Sequence, residues 1–528
     1  MSNILFYKNL KAGILLLSLL LASCSQTNNS VREKDRPQLE YTVNMPDPNT
    51  HYFHVEMSCG GWTQDTIDLK MPRWSPGYYQ IMDFAKKVEN FVVLDKHGTN
   101  IPFTEPDGST WRIIVNKRKP FKITYDVKTD RRFVGTSFLD STHAYIIPAA
   151  TFLYIDQHIN NPVIVRLSYG NRWNKVATGL DPVAGTENEF TAPDFDILYD
   201  CPILIGNLEE LPSFKVDGIE HRFICFNPGN FNREDFMNNL KKAVSAGIDI
   251  IGDIPYKQYT FIGIGPAMGG IEHLNNTTVS FNGNGLDRRG SMIRTMNFLS
   301  HEYFHNYNVK RIRPYELGPF EYDRENRTNL LWVSEGLDVY YEYIIVKRAG
   351  LVNEQEFYSN IESSINTIEN DPGRFYQSLT QSSYRTWDEG PFGRRGNEED
   401  RSISYYDKGP SVGLVLDFSI RNATHNEKSL DDVMRFLYRE YYKHLQRGFT
   451  DAEFQQACET IAGISLNDEF EYAYTTKEID YNKYLSYAGL KMTEKRNPEI
   501  GRRILSISRM EDISPDQLNI LLGWLGEK

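Results

Sequence analysis

One short motif restricts this chain of 528 residues more than any other feature. The segment HEYFH places His301 and His305 four positions apart. Residues at this spacing lie on one face of a helix, so the two imidazoles can bind a single ion. The preceding residues 292–299 carry apolar side chains at helical spacing, which predicts that the motif lies on a buried helix. The alternative is a surface helix whose histidines only pack or form hydrogen bonds.

A third ligand is available one helix further along the chain, at Glu335 in the sequence WVSEG. Imidazole nitrogens and carboxylate oxygens suit Zn²⁺, and three protein ligands leave a fourth position open for water. Glu302, next to His301, is placed to accept a proton from that water as a general base. The pattern predicts a hydrolase, and more narrowly a peptidase, with one zinc ion per chain.

Two more acidic residues, Asp338 and Glu342, follow Glu335 at helical spacing and lie on the same face of the predicted helix. Either one can accept a hydrogen bond from the N–H of a metal-binding imidazole and so fix its orientation. A solvated helix face is the alternative for both residues.

Four segments of the sequence resemble the glycyl aminopeptidases, a bacterial branch of the gluzincin metallopeptidases related to aminopeptidase N. The first runs from HEYFH to SEGLDVYYEY and includes the wide interval between His305 and Glu335. The others are MPRWSPGYYQ at 71–80, GPAMGGIEH at 265–273 and SISYYDKG at 402–409. The resemblance implies a thermolysin-like catalytic domain and an aminopeptidase activity.

The resemblance also implies roles for residues outside the metal set. Tyr406 matches the tyrosine whose phenol donates to the oxyanion, a contribution of ~3 kcal/mol to the transition state. Glu272 matches the carboxylate that binds the α-ammonium of the substrate, with an edge-strand charge that prevents strand pairing as the alternative. Gly269 and Gly270 would let the substrate backbone approach this strand closely. His273 is expected to line the pocket.

The sequence departs from the family pattern in two places. Asp338 stands where typical members have threonine, which would alter the surroundings of the metal ligands. Typical members also continue into a C-terminal PDZ-like domain, which this chain is expected to lack. Residues 483–528 are too few for a core of their own, so they are expected to form a docked extension or a frayed tail.

The pattern of apolar residues predicts a multidomain α+β fold. Residues 39–212 contain short alternating segments, such as FKITYDVK at 121–128 and VIVRLSY at 163–169, which indicate an antiparallel β-sandwich. Longer amphipathic segments follow over residues 213–482 and predict a mostly helical, thermolysin-like catalytic domain.

Residues 1–23 are predicted to form a bacterial lipoprotein signal. Lysines precede an apolar run that is short for a membrane span, and the run ends in LASC, so that cleavage would leave Cys24 for lipid attachment. Residues 24–38 are polar and predict a tether. Ser25 favours the outer membrane, so the protein is expected to be lipid-anchored in the cell envelope.

The net charge and composition restrict the classes of binding partner. The formal net charge is −12, which argues against nucleic acid, and membrane attachment would depend on acyl chains rather than on a basic surface. The expected partners are peptides with a free N-terminus. A zinc endopeptidase or dipeptidase on the same scaffold is the first alternative, and a surface protein that binds peptides with a retired catalytic site is the second. The sequence predicts no oligomeric state.

Overall fold

The computed structural model describes residues 38–129, 132–393, 401–497 and 501–527. The predicted signal, Cys24 and all of the tether except residue 38 lie outside these ranges. None of the helices in the described ranges is long and apolar enough to cross a membrane. A region rich in strands comes first, and a mostly helical region follows it, as the apolar pattern predicts.

Fifteen short strands form the sheets of the first region. They are, in chain order, β1 (Gln38–Asn44), β2 (Tyr52–Gly60), β3 (Thr66–Lys70), β4 (Val88–Asp95), β5 (Phe103–Asp107), β6 (Thr110–Ile114), β7 (Phe121–Lys128), β8 (Phe138–Leu139), β9 (His143–Ile146), β10 (Tyr154–Ile155), β11 (Val163–Ser168), β12 (Lys175–Thr178), β13 (Asp181–Pro182), β14 (Glu189–Ala192) and β15 (Ile203–Gly206).

Two of the sheets share one apolar core. The larger has the strand order β13-β14-β11-β1-β2-β7-β4, and the smaller has the order β10-β3-β6-β5. Alternate side chains of β7 are buried, including Ile123 and Tyr125, and they join those of β3 and β6 in a single cluster. The sandwich is not purely antiparallel, because β1 and β11 run parallel. Strands β12-β15-β9-β8 form a third sheet.

A further sheet carries one wall of the candidate site. Its strands are β16 (Glu209–Glu210), β17 (Phe214–Val216), β18 (Ile219–Cys225), β19 (Gln258–Gly263), β20 (Gly270–Glu272) and β21 (Asn276–Val279). The order β16-β18-β19-β21-β20 places β20 at an edge, and β17 pairs with β18. An edge strand leaves backbone hydrogen-bonding groups free for another chain, such as an extended peptide.

The helices are mostly in the second region, and their lengths follow the amphipathic segments of the sequence. In chain order they are α1 (Phe195–Tyr199), α2 (Arg233–Ile251), α3 (Arg289–Phe304), α4 (Leu337–Arg348), α5 (Glu354–Glu369), α6 (Leu379–Glu389), α7 (Tyr405–Ala423), α8 (Leu430–Leu437), α9 (Asp451–Ala462), α10 (Asn467–Tyr474), α11 (Tyr481–Ser486) and α12 (Pro515–Leu525).

The C-terminal residues form a docked extension rather than a frayed tail. Strands β22 (Leu490–Arg496) and β23 (Arg503–Arg509) form a hairpin, and α12 follows. Asn366 on α5 donates a hydrogen bond of 2.8 Å to the carbonyl of Leu505. Trp524 on α12 is buried and donates a hydrogen bond of 2.8 Å to the Tyr340 hydroxyl on α4. These contacts join the extension to the helices that surround the site.

Candidate active site

The two histidines of HEYFH lie where α3 ends. His301 is in the last turn of the helix, and His305 is the residue that caps it. Both rings are buried, and their Nε2 atoms face each other at 3.0 Å. The predicted helical spacing therefore brings both imidazoles to one point.

Glu335 reaches the same point from a π-helical segment, Trp332–Gly336, which leads directly into α4. Such widened turns are frequent at functional sites. Glycine at 336 lets this segment pack tightly on α7, because an added Cβ would lie 2.7 Å from the backbone of Gly409. The Glu335 Oε2 atom lies 3.3 Å from His305 Nε2 and 3.7 Å from His301 Nε2.

The spacing of these three donors fits a metal ion. Ligands at 2.0–2.1 Å in tetrahedral positions around zinc are about 3.3 Å from one another. The observed separations of 3.0, 3.3 and 3.7 Å lie on both sides of that value. His301, His305 and Glu335 form a buried group of potential ligands within the part of the chain that the structure describes.

The outer nitrogen of each imidazole faces a carboxylate. His305 Nδ1 lies 2.8 Å from the carbonyl oxygen of Asn308 and 2.7 Å from Asp338 Oδ2. Asn308 in turn donates a hydrogen bond of 2.6 Å to the other oxygen of Asp338. His301 Nδ1 lies 3.3 Å from Glu342 Oε2. The hydrogen bond to Asn308 fixes the orientation of the His305 ring and leaves its Nε2 free for a metal, whereas His301 Nδ1 has only the longer ion-pair contact with Glu342.

The charges around the imidazoles favour a bound cation. Burial and the neighbouring His305 lower the pKa of His301, but Glu335 and Glu342 outweigh them and raise it to about 10. Burial also disfavours the charged form of Glu335, yet the two histidines hold the pKa of this carboxyl at about 2. The pocket stabilises positive charge where a metal ion would lie, so a metal must displace a proton to bind.

Glu302 occupies the wall between α3 and the edge strand β20. A Cβ on Gly270 would lie 2.1 Å from Glu302 Oε1, so only glycine leaves room for this carboxylate. Thr277 donates a long hydrogen bond of 3.5 Å to the other oxygen. Burial raises the pKa of Glu302 to about 8. A nearby cation lowers the pKa of a carboxyl group, and a bound metal would therefore favour the carboxylate that a general base needs.

The two adjacent tyrosines of the SISYYDKG segment lie in different surroundings. The Tyr406 hydroxyl donates a hydrogen bond of 2.9 Å to Glu335 Oε2 and is part of the metal group's immediate surroundings. The Tyr405 hydroxyl is buried beside Thr386, at 3.3 Å from its Oγ1. The geometry thus separates Tyr406, which the sequence singled out, from its neighbour.

Glu272 projects from the same face of β20 as the Cβ position of Gly270, because side chains two apart in a strand share a face. It is only 4% exposed, and its Oε1 has no hydrogen-bond partner among the described residues. A Cβ on Gly77, from the first region, would lie 2.8 Å from its other oxygen. A buried carboxylate left unpaired is costly, which is typical of a group that a ligand completes.

His273 is not among the described residues that line the cleft. Its Nδ1 lies 3.3 Å from Asp200 Oδ1, and Asp200 also pairs with Lys310 at 2.5 Å. His273 directly follows the last residue of β20. The position therefore does not support the expected role in lining the pocket.

Two family models match the sequence. The peptidase M61 N-terminal domain matches residues 40–207, and the M61 glycyl aminopeptidase domain matches residues 294–412. Together they cover more than half of the chain. The chain belongs to the M61 glycyl aminopeptidase family. A comparison with curated protein sequences found no match.

The fold of this M61 protein is similar to those of several solved peptidase structures. An aminopeptidase N family protein from Idiomarina loihiensis matches 88% of this chain and 81% of its own, with a TM-score of 0.82 and 24% identity. A mutant M1 zinc metallopeptidase from Deinococcus radiodurans matches 84% and 95%, with a TM-score of 0.50 and 13% identity. Aminopeptidase A from Legionella pneumophila matches 90% and 52%, with a TM-score of 0.51 and 11% identity. These likenesses concern the fold. Together with the family, they make this M61 protein a metallopeptidase.

The M61 site opens into a cleft of about 870 Å³ that both regions of the chain line. The first region contributes Gly77–Gln80 of the MPRWSPGYYQ segment, together with Phe133 and Val134. Trp74 fixes this segment to the second region by a hydrogen bond of 2.8 Å to the carbonyl of Glu321. Sequence reasoning did not predict this wall, although the segment itself carried part of the family resemblance.

The same cleft contains polar residues that no motif of the sequence marks as functional. Arg294 and Asn297 lie on α3 ahead of the histidines, and Asn360 lies on α5. The only indication in the sequence was that these residues lie in amphipathic segments. That indication is weak, because polar residues that face a cleft differ little in sequence from those that face solvent.

Proposed function

We propose that this M61 peptidase is a zinc-dependent aminopeptidase that removes N-terminal glycine or alanine from peptides. The observation that carries the proposal is the buried group His301, His305 and Glu335, with donor separations of 3.0–3.7 Å, beside Glu302 and the unpaired Glu272. The donor set of two imidazoles and one carboxylate supports one Zn²⁺ per chain.

The ligand group would hold zinc, which when bound polarises a carbonyl and makes water nucleophilic at neutral pH. Glu302 accepts the proton of the attacking water and delivers it to the departing amine. Tyr406 donates its hydroxyl proton in a hydrogen bond to the oxygen that gains negative charge. In exchange it gives up its hydrogen bond to Glu335.

Glu272 accounts for the requirement for a free amine. An α-ammonium group would supply the partner that its Oε1 lacks, and a charge-assisted hydrogen bond in a buried site is strong. The preference for small first residues is supported by the family's description and by the tight approach of Gly77 to Glu272, which leaves little space beside the amine.

Hydrolysis of glycyl- and alanyl-arylamides by the soluble form that begins at Ser25 tests the proposal. We expect cleavage that is lost on chelation, restored by zinc, and lost when the substrate amine is acetylated. Glu302→Gln is expected to lower kcat by about 10²–10⁴-fold while zinc content stays at one ion per chain. Equal cleavage of acetylated substrates would instead support a zinc endopeptidase.

We also propose that Cys24 carries a lipid that holds the protein in the bacterial cell envelope, on the outer membrane. The support is the charged, apolar and small-residue order of residues 1–23 and the serine at position 25. Mass spectrometry of the N-terminal peptide and fractionation of Cys24→Ala cells test this, because the variant is expected to leave the membrane fraction. A variant that stays with the membrane would contradict it.

A further inference from the structure

Arg294 is an unpaired cation in an acidic cleft. It lies on α3 seven residues before His301, and its side chain is exposed. Its guanidinium donates one hydrogen bond of 3.3 Å, to Ser291 Oγ, and forms no salt bridge with any described residue. Among the described residues that line the cleft, Arg294 is the one lysine or arginine, whereas Glu302 and Glu342 also line it.

Two amide side chains near Arg294 also have atoms without a partner. Asn297, one helical turn along α3, is 7% exposed and has an unpaired Oδ1. Asn360 on α5 has an unpaired Nδ2, and both residues line the cleft. Buried amide atoms normally have hydrogen-bond partners, so unpaired ones in a cleft are typical of a ligand site.

Arg294 and Asn360 both line the cleft, from helices α3 and α5. These helices are joined near their first residues, where Arg289 Nε lies 2.6 Å from Glu356 Oε1. Arg294 is five residues beyond that junction on α3, and Asn360 is four residues beyond it on α5. At 1.5 Å per residue, each residue is about 6–8 Å from the junction along its own helix.

Glu272 is buried on β20 near Glu302 and is not among the described residues that line the cleft. The Cβ position of Gly270 approaches both Phe298 and Glu302 on α3, and Thr277, the strand partner of Glu272, donates to Glu302. Strand β20 therefore runs from the Phe298 side towards the Glu302 side. Arg294 is eight residues from Glu302, or about 12 Å along the helix axis.

We propose that Arg294, with the donor Nδ2 of Asn360 from the same cleft, binds the C-terminal carboxylate of short peptide substrates. An extended chain spans about 3.3–3.6 Å per residue, so the helix rise of about 12 Å between Arg294 and Glu302 corresponds to three or four residues, and a tripeptide is the first substrate to test. Guanidinium binds carboxylate through two parallel hydrogen bonds. The inference rests on the proposed aminopeptidase function and adds to it the recognition of the far end of the substrate.

The test compares three substrates: glycyl-alanyl-alanine as the free acid, the same tripeptide as its C-terminal amide, and a glycyl-arylamide without any carboxylate. Wild type is expected to prefer the acid over the amide by about 10- to 100-fold in kcat/KM, as hydrogen bonds to charged groups allow. Arg294→Gln is expected to reduce this preference to within about threefold, with the amide and the arylamide cleaved as before. Arg288→Gln is the matched control, because Arg288 begins the same helix outside the cleft, and it should behave as wild type.

The outcomes separate the two proposals. Equal use of acid and amide by wild type, with the arylamide still cleaved, would contradict the carboxylate site and leave the aminopeptidase function standing. A preference for the acid that persists in Arg294→Gln would contradict the assignment to this residue. Failure of zinc-loaded protein to cleave any of the three would contradict the proposed function, and the inference would fall with it.

Discussion

Two sets of buried polar groups border the cleft, and they differ in how they are paired. On the metal side, His305 Nδ1 forms a hydrogen bond of 2.8 Å with the Asn308 carbonyl, and Asn308 donates one of 2.6 Å to Asp338, whereas His301 Nδ1 has no hydrogen bond and lies 3.3 Å from Glu342. On the substrate side, the Oε1 of Glu272 and the Nδ2 of Asn360 have no partner among the described residues.

The difference separates groups that the fold holds in place from groups that a substrate would complete. Paired donors are fixed before any ligand arrives, which is what a metal site needs. Unpaired buried groups lower stability, and a ligand that pairs with them recovers that free energy on binding. Changes on the metal side should therefore alter metal affinity, while changes on the substrate side should alter peptide use and leave the metal bound.

The largest effect is expected from His305→Ala. Removing one of three protein ligands should weaken zinc binding by about 10³-fold or more, since each ligand carries a large share of the binding free energy. Competition with a chromophoric chelator measures the affinity. His425→Ala is a control, because His425 lies outside the metal group. Unchanged zinc affinity in His305→Ala would contradict the metal assignment.

Gly270→Ala is expected to disturb the general base Glu302 and to leave the metal ligands unchanged. The added methyl group would lie 2.1 Å from Glu302 Oε1 and must displace it. We expect kcat to fall by about 10²-fold, part of the general-base contribution, with zinc content unchanged. Gly60→Ala is the matched control, since nothing lies within 4 Å of its Cβ position. A loss of zinc in Gly270→Ala would show that the substitution disturbs metal binding as well as the general base.

Asp338→Asn tests the pairing of the ligand His305. The amide keeps the shape and removes the charge that lies 2.7 Å from the imidazole. Loss of such a partner typically weakens metal binding by about 10- to 100-fold. Chelator competition measures the change, and Asp338→Thr shows whether the residue typical of the family restores affinity. Wild-type affinity in Asp338→Asn would assign the orienting role to the Asn308 carbonyl alone.

Zinc affinity should rise with pH. His301 has a pKa raised to about 10 in the metal-free site, so a proton occupies it throughout the neutral range and zinc must displace it. Affinity is expected to increase about tenfold per pH unit between pH 6 and 8 for each proton displaced. Chelator competition at several pH values gives the slope. An affinity independent of pH would mean that the imidazoles are already neutral.

The smallest effect is expected for the stability of Glu272→Gln. Glu272→Gln keeps the shape of the side chain and removes no hydrogen bond from Oε1, which has no partner among the described residues, so the melting temperature should change little. Calorimetry of zinc-loaded protein measures it. Asp338→Asn is the matched carboxylate-to-amide change on the paired side and is expected to lower the melting temperature. A lower melting temperature for Glu272→Gln than for Asp338→Asn would contradict the distinction between the metal side and the substrate side.

The approach of His301 and His305 to each other could be predicted because their spacing on one helix is local information. The i, i+4 spacing of His301 and His305 survives at the end of α3, and the alternation in residues 121–128 appears as strand β7. What the sequence could not predict depends on long-range packing. The approach of Gly77 to Glu272 joins segments almost 200 positions apart, and the parallel pairing of β1 with β11 joins strands separated by nine others.

The cysteines show the same limit. The scattered positions of Cys59, Cys201, Cys225 and Cys458 in the sequence do not decide between disulfides and free thiols, and all four are buried and free in the structure. The pairing of His273 with Asp200 likewise depends on a residue distant in sequence. Local motifs therefore identify the candidate catalytic residues, and only the folded structure shows which of the buried polar groups have partners.

The most direct test of the central claim measures kcat/KM for a glycyl-arylamide and its N-acetyl derivative, each with wild type and with Glu272→Gln. If the substrate ammonium completes Glu272, acetylation should lower kcat/KM by about 10²-fold or more in wild type and by less than about threefold in the variant. An equal loss on acetylation in both proteins would show that Glu272 does not bind the amine, and would contradict the account of the substrate side.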